Sequence, residues 1–529
     1  MRDIQKPGRS VVMGKQGMVA TSQPMATQAG LEVLHRGGNA MDAAIAAGSV
    51  LCVTEPQSTG IGGDCFILYH EAASGKLHGL NGSGRAPGGA TLSAYQALGY
   101  EQVPIRGIHA VTVPGAIDGW AQAVQRFGTM SLGDLLQPAI GYAEEGYAVS
   151  PVVAHFWARN ADDLSQFEDS ARVLLADGRA PVAGCVHRQP DLARSLRRIA
   201  EEGRDAFYLG PIAEEICRVS EEQGGFFQME DFAAHRSEWV APLYSRYRDM
   251  RLVEIPPNGQ GITAQMTLNI LEGLDIAAMP RLGSAHLHAF SEAFKLAMAE
   301  RDRFVSDPAF HPLPVEQLLS DDFAAGQRAR LDAGRALDHP VASGFPDHRD
   351  TVYLSVVDKD RNACSYINSL FWNFGSALVA GNTGITLQNR GSGFVLQKGH
   401  FNCIAPGKRP LHTIIPAMAY RDSGEMLCYG VMGGQYQAMG HAYVLSNLVD
   451  YGLDLQEAID APRFLPYEGQ LSLERGIAPA VMEELAALGH QVVLAEEPLG
   501  GGQAIWTDFR TGVLHAASDP RKDGCALGY

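Results

Sequence analysis

A chain of 529 residues, 46% hydrophobic and 19% charged, can bury a large core, either as several domains or as one long α/β unit. Its 42 basic against 59 acidic side chains give a formal charge of -17, which disfavours nucleic acid and anionic membrane surfaces as main partners. Eight scattered cysteines with no CxxC or CxxH pair speak against zinc-ribbon or dithiol redox chemistry.

The opening "MRDIQKPGRSVVMGKQGMVATSQP" lacks an apolar signal core, and no run reaches about eighteen apolar residues. The expectation is a cytoplasmic protein with no membrane span. Residues 24–54 then read as two Ala-rich helices. "MATQAGLEVLHRGG" ends on a Gly pair, and "NAMDAAIAAGSVLCVTEP" restarts with Asn39 as N-cap. "GIGGDCFILYH" and "KLHGLNGSGRAP" read as strands joined by Gly-rich turns, with Asp64 and Asn81 as turn residues on a pocket wall. Residues 115–235 read as mostly helical, and 284–303 as a further helix with apolar spacing near 3.6. The stretch 332–350, "DAGRALDHPVASGFPDHRD", has no apolar period and reads as exposed and flexible.

From Thr351 the chain turns β-rich: "TVYLSVVD", "ACSYINSLF", "GITLQN" and "MLCYGVMGG". The first two flank "KDRN", a good turn sequence. A hairpin centred on Asp360 sets Thr351 opposite Ser369, on one sheet face and within hydrogen-bonding reach. A threonine hydroxyl is a poor nucleophile without a base, and no GxSxG elbow or Ser-His-Asp pattern is legible. A cut before Thr351 would free its α-amine, of pKa about 8, to act as base for its own side chain. A β-branched residue at a strand start is also ordinary strand chemistry. Composition alone leaves both open.

The ordered motifs "MVATSQPMATQAGLEVLHRGGNAMDAAIAA", "TEPQSTGIGGD", "VPGAIDGW", "EAFKLAMAERDRF", "TVYLSVVDKDRNACSYINSLFWNFGS", "PGKRPLHTIIP", "VMGG", "DYGLDLQEAIDAPRF" and "ASDPRKDG" change the balance. From about residue 16 to residue 529 the chain resembles γ-glutamyltranspeptidase-type N-terminal-nucleophile hydrolases. The resemblance implies a four-layer αββα sandwich, made as a proenzyme that cuts itself between Asp350 and Thr351. Chains 1–350 and 351–529 would then share one core, as a heterodimer or a dimer of heterodimers. It also implies Thr351 as nucleophile, Ser369 as the hydroxyl that orients it, and the N–H groups of Gly433 and Gly434 as the oxyanion hole. No cofactor or metal is implied.

Where members that bind a γ-glutamyl head carry an acidic pair, this chain reads "NRGSGF", with Ser392 and Gly393 at those positions. An unpaired ammonium is costly to bury. Arg390, just upstream, suits a carboxylate instead. The family's carboxylate-gripping Ser pair maps onto His412 and Thr413, and its carboxylate-binding Arg onto Arg85, displaced by two positions. The loop between Phe394 and Arg409 has 14 residues, short beside the family's lid-bearing loop. The pattern is similar to a divergent branch that includes oxamate amidohydrolase of purine catabolism and is related to cephalosporin acylases. The expected substrate is a small anionic amide. The alternatives are a γ-glutamyl hydrolase or transpeptidase, a cephalosporin-acylase-like amidase, and an uncut non-catalytic homologue. His286 and His288 lie two apart on a predicted helix and do not face together, so no metal is expected there. "GGGQ" at 500–503 lacks the lysine of a phosphate loop.

Overall fold

The computed structural model describes residue 5, residues 8–337 and residues 351–529. Helix Pro24–His35 runs into the Gly37–Gly38 turn, and helix Ala40–Thr54 restarts on Asn39, whose side chain accepts the N–H groups of Met41 and Asp42. Asp42 closes the capping box by accepting the Asn39 N–H at 2.9 Å, an arrangement worth about 1 kcal/mol. Every residue of Ala40–Thr54 is buried, as small side chains on all its faces predict. Between Ala116–Phe127 and Met229–Ala234 the chain is mostly helical, and Ser284–Phe304 is one long helix. Among the described residues no helix is long and apolar enough to cross a membrane.

Two seven-stranded antiparallel sheets form the centre. The first runs in the order Cys525–Gly528, Met18–Thr21, Val352–Val357, Ala363–Ser369, Asp64–Glu71, Lys76–Gly82, Glu238–Val240. The second runs Val12–Gly14, Val513–Ser518, Gly501–Asp508, Glu425–Met432, Ala417–Arg421, Met250–Glu254, Leu243–Tyr247. Alternation along each strand sorts the core. Val352, Leu354 and Val356 pack with helix Ala40–Thr54 and its neighbours. Tyr353 and Val357 point the other way, into the apolar layer shared with the second sheet. Helices Gly261–Glu272, Ser284–Phe304 and Tyr436–Val449 cover that sheet's far side. The layers are therefore helix, sheet, sheet, helix: the expected αββα sandwich.

Each sheet takes strands from both sides of the 350/351 junction. The composition shift there does not separate two folded bodies. Three local expectations need correcting. "GITLQN" forms no strand; it makes only the isolated bridges Val379–Thr386 and Gly62–Leu387. Asp64 and Asn81 lie within strands, not turns. Residues 332–335 are exposed, as expected, but the stretch to 337 is tied to the fold: His288 Nε2 bonds the Asp332 carbonyl at 2.8 Å, the Ala336 N–H donates to Leu488 O, and the Leu337 N–H donates to Glu292. The rest of the stretch read as flexible, residues 338–350, lies outside the described residues, and so does Asp350.

Candidate active site

Hairpin Val352–Val357/Ala363–Ser369 pairs Val352 with Asn368. One further step sets Thr351 opposite Ser369, the register that a turn centred on Asp360 predicts. Their hydroxyl oxygens lie 3.2 Å apart, and both residues are fully buried. Ser369 Oγ also accepts the Phe371 N–H at 2.8 Å. On its other side Ser369 pairs with Asp64. Directly opposite residues share a face, so Thr351, Ser369 and Asp64 stand in a row across three strands. Gly63 permits this closeness, because a Cβ there would lie 2.4 Å from the Ser369 carbonyl oxygen.

The second sheet brings the glycine pair to the same end. Ser355 Oγ donates to the Cys428 carbonyl at 3.1 Å, and the Tyr353 ring fills the space over Gly430. Each two-residue step back along Val352–Val357 thus matches a two-residue step forward along Glu425–Met432. The next step faces Thr351 with Met432, one residue before Gly433. Gly433 and Gly434 then turn the chain into helix Tyr436–Val449 with φ +121° and +55°. No hydrogen bond among the described residues uses either N–H. Their loop is anchored from behind. Gln260 Nε2 donates to Gly434 O at 3.0 Å and to Thr413 O at 2.8 Å, while buried Arg301 holds the side-chain oxygens of Gln260 and Gln435.

Thr413 leads to the charged part of the site. Its Oγ1 accepts Arg390 Nη1 at 2.9 Å. The Arg390 guanidinium lies 4.0 Å from the Phe371 ring centroid, and Phe371 holds φ +84°, a costly left-handed backbone for a bulky residue. Arg390 is fully buried, yet its Nε and Nη2 have no hydrogen-bond partner, and it makes no ion pair among the described residues. Burial pulls its pKa down to about 9, with Asp64 opposing, so it stays cationic at neutral pH. His412 stands beside it with both ring nitrogens engaged inside the protein. Nδ1 faces the Ile414 N–H at 3.4 Å, so Nε2 carries the proton that Asp64 Oδ2 accepts at 3.0 Å. Burial, then Arg390 and Arg409, hold His412 well below its usual pKa, so it is neutral.

Arg85 belongs to a different network. Its guanidinium donates to Glu238 at 2.6 Å, Gly407 O at 3.0 Å and Asp307 at 3.4 Å. Those bonds use it to tie loops together, and the structure does not bring it to Arg390. The short loop after Phe394 packs its own residues Phe394 and Ile404 against Ala86, Tyr95 and Val103. His286 and His288 part company, as their spacing predicts. His288 joins Glu292 and His490 in a buried group close enough to hold a metal. Both Glu292 oxygens are already used there, by Lys295 at 2.7 Å and by the Leu337 N–H at 2.6 Å.

The gamma-glutamyltranspeptidase family model matches residues 26–529. The chain belongs to that family. It is 38% identical to the glutathione hydrolase-like YwrD proenzyme of Bacillus subtilis, over 98% of this chain and 99% of that protein. It is 35% identical to the oxamate amidohydrolase proenzyme of Klebsiella pneumoniae, over 97% and 98%. The solved cephalosporin acylase of Bacillus halodurans superposes with a TM-score of 0.92 at 41% identity, covering 99% of this chain and 98% of that one. Family members are hydrolases and transferases acting on amide bonds, and this chain is an enzyme of that kind.

Within this γ-glutamyltranspeptidase-family site, sequence reasoning placed Asp64 on the pocket wall but missed its partner His412, and it missed Gln260 and Arg301 altogether. The partners lie 348, 174 and 134 positions away in sequence, so no local pattern marks them. Gly433→Ala tests the glycine pair. A Cβ there would lie 2.6 Å from Gly500 Cα at a φ that favours glycine. The expected result is a kcat about 10²–10³ lower at unchanged helix content by circular dichroism. Unchanged kcat with a lower melting temperature would assign Gly433 to folding alone.

Proposed function

We propose that this chain is an autoprocessing amidohydrolase whose nucleophile is Thr351 and whose substrate is a small amide with a free carboxylate on its acyl part, oxamate being the simplest case. The carrying observation is Arg390, a buried cation with two donors on one edge that bond nothing among the described residues. Such a group awaits an anion that can accept two N–H bonds side by side. The positions that carry an acidic pair in γ-glutamyl-binding members hold Ser392 and Gly393, and Ser392 Oγ is turned back onto Asn389 O at 2.8 Å. Neither residue carries a negative charge to balance an α-ammonium.

A cut between Asp350 and Thr351 frees the Thr351 α-amine. That amine takes the Thr351 Oγ1 proton as the oxygen attacks the amide carbonyl. Ser369 accepts the Phe371 N–H, which leaves its own proton to donate to Thr351 Oγ1. The N–H groups of Gly433 and Gly434 receive the negative charge on the carbonyl oxygen. The C–N bond breaks, the departing amine takes the proton back, and an ester remains on Thr351. Water, deprotonated by the same amine, adds to the ester, and the acid leaves as Thr351 Oγ1 regains a proton.

The test is a panel of oxamate, glutaryl-p-nitroanilide, γ-glutamyl-p-nitroanilide and the uncharged butyryl-p-nitroanilide, each with and without glycylglycine as acceptor. Acids without an α-ammonium are expected to lead in kcat/KM by about tenfold or more, with no new amide formed from glycylglycine. A lead for the γ-glutamyl compound, or turnover of neither acid, overturns the reading. A second reading, an amidase for longer acyl chains, draws on the likeness to the cephalosporin acylase structure. The ratio of glutaryl to oxamate turnover decides between the two.

A further inference from the structure

The carboxylate of Asp64 sits where four segments meet, beside the contacts that Gln388 also makes with Thr112 and Val113. Its Oδ1 accepts the Gly84 N–H at 3.1 Å, the Gly115 N–H at 3.1 Å and Gln388 Nε2 at 2.9 Å, and its Oδ2 accepts the proton on His412 Nε2 at 3.0 Å. All four partners are donors, which fits an ionised, acceptor-only carboxylate. Burial pushes the Asp64 pKa up; Arg390, the Gly84 N–H and Gln388 oppose it. The position is tightly built: a Cβ on Gly84 would lie 1.6 Å from the Val113 carbonyl oxygen, so only glycine lets that N–H reach the carboxylate.

Two of the four segments carry the parts of the anion receptor. Gln388 lies two residues before Arg390, and His412 lies one residue before Thr413, which holds Arg390 Nη1. Asp64 ties these two segments to each other and to the Thr351–Ser369 row through its strand partner Ser369. Among the described residues no hydrogen bond or ion pair joins it to Arg390. It is nonetheless the acidic group whose attraction acts on Arg390, at a distance and through a buried interior where charges are felt strongly.

We propose that Asp64 is a positioning residue of this site: its carboxylate locks the 388–390 and 412–413 segments in register and supplies the counter-charge that keeps the free Nε/Nη2 edge of Arg390 ready for the substrate carboxylate. The inference rests on the reading of Arg390 as that receptor. Asn cannot replace Asp64 in this role. Its amide is neutral, and its NH₂ group must face either the three donors at Oδ1 or the proton on His412.

The test is a double-mutant cycle of Asp64→Asn and Arg390→Met, read as kcat and KM for glutaryl-p-nitroanilide and oxamate across pH, with intact mass as the check on processing. Asp64→Asn is expected to raise KM about tenfold, to leave kcat within about threefold, and to move the alkaline fall of kcat/KM to lower pH. In the Arg390→Met background the same change is expected to add almost nothing, because its effect acts through Arg390. A fall in kcat at unchanged KM, or KM penalties that simply multiply, overturns the role of Asp64 and leaves Arg390 standing. Unchanged KM in Arg390→Met alone overturns the receptor itself. If Asp64→Asn does not fold, Gln388→Met removes one of the four donors more gently. Because the Asp64 carboxylate stays, a smaller KM rise with little alkaline shift supports the role, and an unchanged KM overturns it.

Discussion

Thr351→Ala is expected to give a single uncut chain of 56.8 kDa where the wild type gives two fragments parting before Thr351. Intact-mass spectrometry reads both directly. The same variant is expected to lose about 10⁴-fold or more in kcat, because the proposed mechanism makes nucleophile and base one residue. The geometry already orients the hydroxyl. Ser369 Oγ lies 3.2 Å from it, and the Phe371 N–H fixes Ser369 in turn. Thr351→Ser keeps the hydroxyl and the α-amine and loses only a methyl, so it should still cut and still turn over, more slowly. A wild-type chain that stays whole after purification and incubation would remove the base from the mechanism. An active, uncut Thr351→Ala would remove the nucleophile. Either result would leave the αββα core without this chemistry.

Much of this was legible because it is local. The Gly37–Gly38 stop and the Asn39 cap belong to a few adjacent residues, and backbone geometry follows from them. The hairpin register was legible for the same reason: a short turn at 358–362 fixes every pair up to Thr351 and Ser369. Asp64 was legible only in part. It reads as a turn residue on a pocket wall, and only its pairing with Ser369, from a strand some 300 residues later, puts it in a strand beside the Thr351–Ser369 pair. "GITLQN" misled in the other direction. Its residues have strand propensity, but their N–H groups go to Leu378, Gly62 and Leu370 on three different segments, so no ladder forms. Arg390 lay between these cases. Its type and place suggested an anion, whereas its two unpaired donors became visible only once its neighbours were in position.

Arg390→Met gives the second large effect, and its value lies in two signs that differ. Methionine roughly matches the length of the side chain and removes the charge. For glutaryl-p-nitroanilide or oxamate, a substrate carboxylate would then be buried with no partner. Truncating one side of such a pair costs about 2–5 kcal/mol, so kcat/KM should fall by about 10²–10³, mostly through KM. The uncharged butyryl-p-nitroanilide should lose little, so the preference between the two narrows or inverts. Arg390→Lys should fall between, since an ammonium cannot present two parallel N–H bonds. Stability should move the other way. Among the described residues no protein group bonds the buried Arg390 Nε and Nη2, so burying this guanidinium costs free energy that protein contacts do not fully offset. Removing the guanidinium should leave the melting temperature unchanged or raise it, the pattern expected where function strains the fold. The Thr413 bond and the Phe371 contact pull against that gain, but each is a single interaction. A structural arginine predicts the reverse, a lower melting temperature with the preference for acids intact. Thermal melts and the two kcat/KM values, taken on the same preparations, separate the cases.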